Sequence, residues 1–330
     1  MTVVRKFFVA AAMAATLFST FAAQAADKVR IGYWTSGVSL GFGAVLEAKG
    51  FLADHGIEAE FLHFPDVNAP LAALATGSID LAFGAPLAGV FSTAANGVPI
   101  RIFAATQPAD VQFVVPADSP IQSIAEFKNK KIGMSPAGSS VAVIAGAILA
   151  GNYQIKPTEF SLVGGNESRL AQFLAQKQVD GAALRSVTVA QLADELKVRR
   201  LGSFAEEWKT LTHSQSIPYI GVGAVRAELV DSHPEVVARV IAGLRDTLAW
   251  GDAHRDEVAE ILHRKANLSP EDARVYVSLW NDMNRVAFAE ADIATLRQQH
   301  AVFTESGLVK GTLDDALFAT APFRQANALK

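Results

Sequence analysis

The sequence predicts an α/β protein of two lobes, each a doubly wound, mostly parallel sheet, joined by a two-strand hinge. Three observations carry this. Short apolar runs alternate with helical patterns from Asp27 to Pro218, as βαβ units require. The runs are continuously apolar, which suits strands covered by helices on both faces. The pattern also nearly repeats 100 residues on: Leu74, Ile79 and Asp80 match Leu174, Val179 and Asp180 in residue type and spacing, which points to architectural duplication.

The chain begins with an address. Arg5 and Lys6 precede an apolar run from Phe7 to Phe21 and the small-x-small triplet Ala23-Gln24-Ala25. This is a secretory signal peptide spanning residues 1–25, cut after Ala25. The run is short for a membrane span, and no basic cluster follows it. No cysteine stands at the new N-terminus, so lipid attachment is excluded and a periplasmic location is expected. Removing Arg5 and Lys6 from 29 basic and 33 acidic groups leaves 27 against 33, a net charge of −6.

Strands are expected at Lys28–Trp34, Ile57–Phe64, Ile79–Phe83, Ile100–Ala105 and Val111–Val115. The series continues at Lys131–Met134, Glu159–Val163, Val179–Leu184, Val198–Leu201 and Tyr219–Val225. Beyond Pro218 the chain becomes almost wholly helical. Ser232-His233-Pro234-Glu235 reads as a capping box, Ser269-Pro270-Glu271-Asp272 opens another helix, and a third runs through Ile293, Leu296 and Val302. The chain crosses between lobes near Gln107–Asp110 and returns near Thr210–Pro218. One lobe thus comprises residues 26–108 with 216–330, its C-terminal helices packed on it, and the other residues 109–215.

Composition narrows the chemistry. Zero cysteine excludes disulfides, thiolate metal sites and cysteine nucleophiles. A mild negative charge gives no general attraction to nucleic acid. No H-E-x-x-H, Walker or G-x-G-x-x-G motif occurs, so neither a metal nor a cofactor is expected. Asp80 and Asp180, though paired in the repeat, suit turn or edge roles. Asn166-Glu167-Ser168 and Asn267-Leu268-Ser269 are glycosylation sequons, which mean little in a bacterial periplasm.

Ligands of open parallel sheets bind beyond the carboxyl ends of the strands. The loops there are Trp34–Gly41 and Ser135–Ser140. Ser139 and Ser140 stand at the first turn of an alanine-rich helix, whose free N–H groups favour an anion; an ordinary Ser cap is the alternative. Arg185 follows the apolar run Val179–Leu184, with no acid after it until Asp194. It suits a bidentate pair with a ligand carboxylate, sulfonate or phosphate, or a surface salt bridge to a neighbour. Trp34 suits an apolar wall for the ligand body, or the core. Gly37-Val-Ser39-Leu-Gly41 matches the G-x-S-x-G nucleophile elbow, which keeps open a serine hydrolase using Ser39, although the motif follows the first strand and so comes too early for that fold.

At this point the chain resembles the periplasmic substrate-binding proteins of ABC importers for sulfonates, nitrate, taurine and thiamine-pyrimidine precursors. The resemblance rests on Arg30-Ile-Gly-Tyr-Trp34, on Leu71–Gly84, on Asp118–Gly133, on Pro136-Ala-Gly-Ser-Ser140 and on Leu174–Asp180. It implies the type II fold of such proteins, hinge closure on a small-molecule ligand, delivery to an inner-membrane ABC permease, and no enzymatic activity. A monomer is expected, and a ligand sensor of the same fold is the further alternative. Carried over by position, the pocket comprises Trp34, Thr35, Ser36, Ala85, Pro86, Ser139, Ser140, Arg185 and Ser186. Many members have an aromatic, an acid and a proline where this chain has Arg185-Ser186-Val187. An acid there suits an amine, so the departure disfavours taurine and favours a purely anionic organic sulfonate or carboxylate. The cysteine-rich motif of the thiamine-pyrimidine synthases is missing.

Overall fold

A computed structural model describes residues 26–191, 193 and 197–329; the expected signal peptide lies outside them. The first sheet contains β1 (Asp27–Trp34), β2 (Ile57–Phe64), β3 (Leu81–Pro86), β4 (Ile100–Pro108) and β10 (Tyr219–Arg226). The second contains β5 (Val111–Pro116), β6 (Lys131–Met134), β7 (Ser161–Gly164), β8 (Gly181–Arg185) and β9 (Val198–Ser203). Their orders are β2-β1-β3-β10-β4 and β7-β6-β8-β5-β9. In each, the fourth strand runs antiparallel to its neighbours, while the first three are parallel. The two lobes therefore share one topology, and the antiparallel strand of each arrives from the other lobe's half of the chain. The strands extend one to three residues beyond the apolar runs in several places, because the ladder continues where Pro86, Gln107 or Ser203 still pairs.

The repeat has a structural cause at its two aspartates. Asp80 accepts from the backbone N–H of Arg30 at 3.0 Å, while its own N–H donates to the Arg30 carbonyl. Asp180 does the same with Lys131, its carboxylate accepting at 2.7 Å. Each aspartate thus ties a helix-to-strand corner to the strand next door, satisfying backbone groups that would otherwise be unpaired.

Helices α1 (Gly37–Lys49), α2 (Phe51–Asp54), α3 (Ala69–Ala75) and α4 (Leu87–Ala95) belong to the first lobe; α5 (Ser140–Tyr153), α6 (Glu167–Ala175) and α7 (Ser186–Gln191) belong to the second. Glycine fits α1 to its neighbours: a Cβ on Gly41 would lie 2.2 Å from the Tyr276 ring. After β10 the chain is helical throughout the remaining described elements. The capping box at Ser232 does not form. Ser232 ends the helix Ala227–Ser232, and the next begins at Pro234 with His233 before it and no side-chain cap. Proline at the first helical position sets that start. Ser269 does cap its helix, accepting from the Asp272 N–H at 3.0 Å.

The C-terminal helices pack on the first lobe less exclusively than expected. Trp280 and Met283 are buried with α1 and the helix Pro234–Ala253 in the first lobe's core. But the helix Glu290–Glu305 carries Phe303, whose ring meets Phe91 of the first lobe at 6.4 Å and Trp208 of the second at 6.2 Å. In the helix Pro270–Ser278, the Asp272 carbonyl accepts from Gln191 of the second lobe at 3.1 Å. These two helices brace both lobes.

Candidate functional site

The carboxyl ends of β1 and β8 meet where Arg185 lies against Trp34, and the helices that follow β3 and β6 meet where Ser140 reaches Ala88. Trp34, the last residue of β1, is buried; its indole N–H donates to the Pro65 carbonyl at 3.2 Å. Thr35 directs its hydroxyl to the Phe64 carbonyl at 3.0 Å. Ser36 stands at the start of α1 without making a capping bond and lines a cavity of about 300 Å³ together with Gly37, Asn166, Thr188 and Tyr276. A second cavity, of about 250 Å³, is lined by Trp34, Asp66, Gly164, Asn166 and Arg169.

Arg185 joins the lobes. Its guanidinium carbon lies 4.9 Å from the centroid of the Trp34 ring, a cation–π contact. A Cβ on Gly37 would come within 3.3 Å of the Arg185 side chain, so glycine there admits the arginine. Arg185 is only 4% exposed and so is not a surface arginine. Its Nη1 donates to Glu167 Oε1 at 2.5 Å, and its backbone N–H to Glu167 Oε2 at 3.2 Å. Glu167, also 4% exposed, occupies the first turn of α6, where the helix dipole favours its charge. A carboxylate of the protein itself, from upstream of Arg185 in the chain, thus accepts from the guanidinium. Arg185 Nε is buried without a partner.

The serines divide. Ser139 caps α5, accepting from the Ala142 N–H at 3.2 Å. Ser140 reaches across the cleft, its hydroxyl accepting from the Ala88 N–H of α4 at 3.1 Å. Ser186 turns away from Trp34 to the first crossover, donating to Asp110 Oδ1 at 2.5 Å and accepting from Gln112 at 2.9 Å. Burial pushes the Asp110 carboxyl above the usual range, Asp282 adding to this and the Ser186 hydroxyl and Arg185 charge opposing it. Ala85 and Pro86 are buried and pair with Val222 and Gly221 in the sheet; neither lines the two cleft cavities. Sequence reasoning missed Glu167, Ser135, Thr106 and Asp110. The hydroxyls of Ser135 and Thr106 and Asp110 Oδ2 are, like Arg185 Nε, buried without partners.

A family model described as NMT1/THI5 like matches residues 44–258, more than half of the chain. The chain belongs to the NMT1/THI5-like family. Among solved structures, the alkanesulfonate-binding protein SsuA from Xanthomonas axonopodis pv. citri, bound to MOPS, superposes with a TM-score of 0.72 at 18% identity, covering 90% of this chain and 97% of that one. The periplasmic aliphatic sulphonate binding protein SsuA from Escherichia coli gives 0.70 at 18% identity, covering 91% of each chain. The desulfurization enzyme DszB gives 0.62 at 15% identity, covering 92% of this chain and all of that one. At these identities the likeness establishes the fold, the two-lobed α/β architecture of periplasmic binding proteins. No curated protein matches this NMT1/THI5-like chain in sequence.

The hydrolase alternative loses its geometry within this fold. Ser39 is 1% exposed and accepts from Gln107 Nε2 at 2.8 Å. It lies inside α1 rather than on a strand-to-helix elbow, and no histidine lines either cleft cavity.

Proposed function

We propose that this NMT1/THI5-like chain is the solute-binding component of an ABC importer, taking a small sulfonate- or carboxylate-bearing molecule between its lobes and delivering it to an inner-membrane permease. The observation that carries this reading is the meeting of the lobes at strand ends, where Arg185 lies against Trp34, beside buried polar atoms that lack partners among the described residues: Arg185 Nε, the Ser135 hydroxyl and the Thr106 hydroxyl. Buried polar groups without partners are costly, and a bound solute with hydrogen-bonding oxygens relieves that cost. The sulfonate-binding names of two structural neighbours support the solute class.

In this reading the lobes are residues 26–108 with 216–330, and 109–215, closing about the crossovers near Asp110 and Pro218. Residues 1–25 are a signal peptide, the mature protein works in the periplasm as a monomer, and it is not an enzyme. The pocket uses Trp34, Ser36, Ser140 and Arg185, with Thr35, Ser139, Ala85 and Pro86 shaping it and Ser186 acting at the hinge.

A thermal-shift screen of sulfonates, carboxylates, nitrate and pyrimidines tests the reading, since a ligand bound only by the folded state raises Tm. A sulfonate or carboxylate is expected to give the largest shift. A response confined to uncharged or cationic compounds overturns the solute class, and silence across the screen overturns the binding role. With the ligand found, Arg185→Ala is expected to weaken it by roughly 2–4 kcal/mol; calorimetry showing unchanged affinity removes Arg185 from the site.

A further inference from the structure

The two cleft cavities divide the chemistry of a solute between them, an inference that rests on the solute-binding reading above. The larger, of about 300 Å³, is a modest small-molecule pocket. Among the described residues, no acidic or basic side chain lines it. Its walls carry hydroxyls and amides from both lobes: Ser36 from the first, Asn166, Thr188 and Gln191 from the second. Thr188 is only 5% exposed, and its hydroxyl has no hydrogen-bond partner among the described residues. Ser36 makes no capping bond. Asn166 Oδ1 accepts from the Arg169 N–H at 2.9 Å, which leaves its own amide N–H groups to donate. Gln191 Nε2 donates to the Asp272 carbonyl at 3.1 Å, which leaves its oxygen to accept.

A set of groups that donates and accepts without charge is complemented by hydroxyls, each of which does both. A sulfonate or carboxylate only accepts, and would leave the Gln191 oxygen unanswered. An alkyl chain would displace water from all four groups and leave them buried and unpaired, which is costly. Charge lies next door. Asn166 also lines the second cavity, of about 250 Å³, so the two adjoin. Among the described residues lining either cavity, Arg169 is the one base. Its guanidinium carbon lies 5.0 Å from the centroid of the Phe173 ring, and the acid nearest to it in the chain, Glu167, is taken by Arg185. Asp66, the acid lining the second cavity, is turned to its own loop, accepting from the Asn68 N–H at 2.8 Å. We infer that the favoured solute is a polyhydroxylated organic anion, a sugar acid or a sugar sulfonate. Its hydroxylated body occupies the first cavity against Ser36, Thr188 and Gln191, and its anionic head the second, against Arg169. A plain alkanesulfonate lacks the first half of this match, and a neutral sugar lacks the second.

Isothermal titration calorimetry of the purified protein tests this with four probes: glucuronate, a hydroxylated carboxylate; 6-deoxy-6-sulfoglucose, its sulfonate counterpart; propanesulfonate, an anion without hydroxyls; and glucose, hydroxylated but uncharged. The wild type is expected to bind one of the two sugar anions about tenfold or more tightly than propanesulfonate or glucose, and whichever leads identifies the head group. Thr188→Val keeps the shape and removes the hydroxyl. It is expected to weaken the preferred sugar anion about tenfold and to leave propanesulfonate unchanged, because a site built to hydrogen-bond a hydroxyl loses its discrimination with its partner group. Arg169→Gln is expected to erase the advantage of the sugar anion over glucose. Propanesulfonate bound as tightly as either sugar anion, or a Thr188→Val variant that weakens both alike or neither, overturns the inference while the organic-anion reading stands. An advantage over glucose that survives Arg169→Gln overturns the placement of the head group. Should Thr188→Val not fold, Ser36→Ala takes its place with the same expected split. Glucose bound as tightly as the sugar anions, or none of the four bound, overturns the organic-anion reading itself and this inference with it.

Discussion

The same strand end does opposite work in the two lobes. In the first, β3 ends in Ala85-Pro86 and runs directly into α4; in the second, β8 ends in Arg185 and runs directly into α7. Both ends are buried and both hold the same place in the same sheet order. One is apolar, the other carries an ion pair with Glu167. Buried ion pairs are poor stabilisers compared with apolar packing, and the first lobe shows that this topology closes without one. The duplicated scaffold is therefore a matter of packing and corner hydrogen bonds, while the charge at one strand end belongs to the cleft.

The largest break in the symmetry comes from removing one member of the pair. Arg185→Ala leaves the Glu167 carboxylate buried and alone, and is expected to cost about 3–5 kcal/mol of stability in urea unfolding. Replacing both, as Arg185→Met with Glu167→Leu, is expected to return most of that loss. Pro86→Ala, at the matching end, costs on the order of 1 kcal/mol. Equal losses for Arg185→Ala and the double variant would mean that packing, not charge, holds this end together.

The corner aspartates give the next contrast. Asp80 binds the Arg30 guanidinium at 2.6 and 3.0 Å as well as its backbone, and Arg226 lies 3.5 Å away; among the described residues, the Asp180 carboxylate makes only the backbone bond to Lys131. Burial raises the Asp80 pKa, but the Arg30 hydrogen bonds and the charges of Arg30 and Arg226 outweigh it and hold the carboxyl below its usual value. A depressed folded pKa contributes stability above the unfolded value, and that stability is lost as pH falls through the folded one. Asp80→Asn is thus expected to cost about 2 kcal/mol near neutrality and to flatten the acid limb of the stability profile. Asp180→Asn is expected to cost less and to leave that limb steeper; identical acid limbs in the two variants would show that the two corners are equivalent.

The first helices of the lobes differ as well. Gly41 in α1 faces the Tyr276 ring, whose hydroxyl donates to the Val38 carbonyl at 2.5 Å. Alanine gains roughly 1 kcal/mol of helix propensity over glycine, yet Gly41→Ala is expected to destabilise by about 1–2 kcal/mol through overpacking. Gly146 in α5 meets only the flexible end of Leu308 at 3.2 Å, so its alanine variant is expected to be near neutral. A thermal melt that ranks the two the other way would place the ring elsewhere.

The sequence showed much of this, and its omissions have a physical pattern. Strands were legible because apolar runs between glycine and proline mark buried parallel strands, and the Leu-Ile-Asp repeat had a corner hydrogen bond behind it. Arg185 stood out as a charge ending an apolar strand. Its partner did not, because Glu167 lies 18 residues upstream and reads as the middle of a sequon or a favourable first-turn acid. Folding brings the start of α6 and the end of β8 together, and no local spacing records that. The unpartnered hydroxyls of Thr106 and Ser135 were invisible for the same reason: they are ordinary residues until the fold buries them.

The smallest contrast lies between two adjacent serines. Ser139 caps α5 within its own lobe, so Ser139→Ala is expected to lower stability by about 1 kcal/mol without changing how the lobes meet. Ser140 instead satisfies the Ala88 N–H at the start of α4, one of the amides a helix cannot pair internally. In an open form that amide would bond water; in the closed form Ser140→Ala leaves it buried and unpaired. The penalty falls on closure alone, about 1 kcal/mol or roughly fivefold in ligand Kd, with little change in the unfolding midpoint of the unliganded protein. Calorimetry and unfolding of both variants separate the two effects. If Ser139→Ala weakens the ligand while Ser140→Ala does not, the bond between Ser140 and Ala88 has no part in closure, and the two helix starts that face each other across the cleft meet only by proximity.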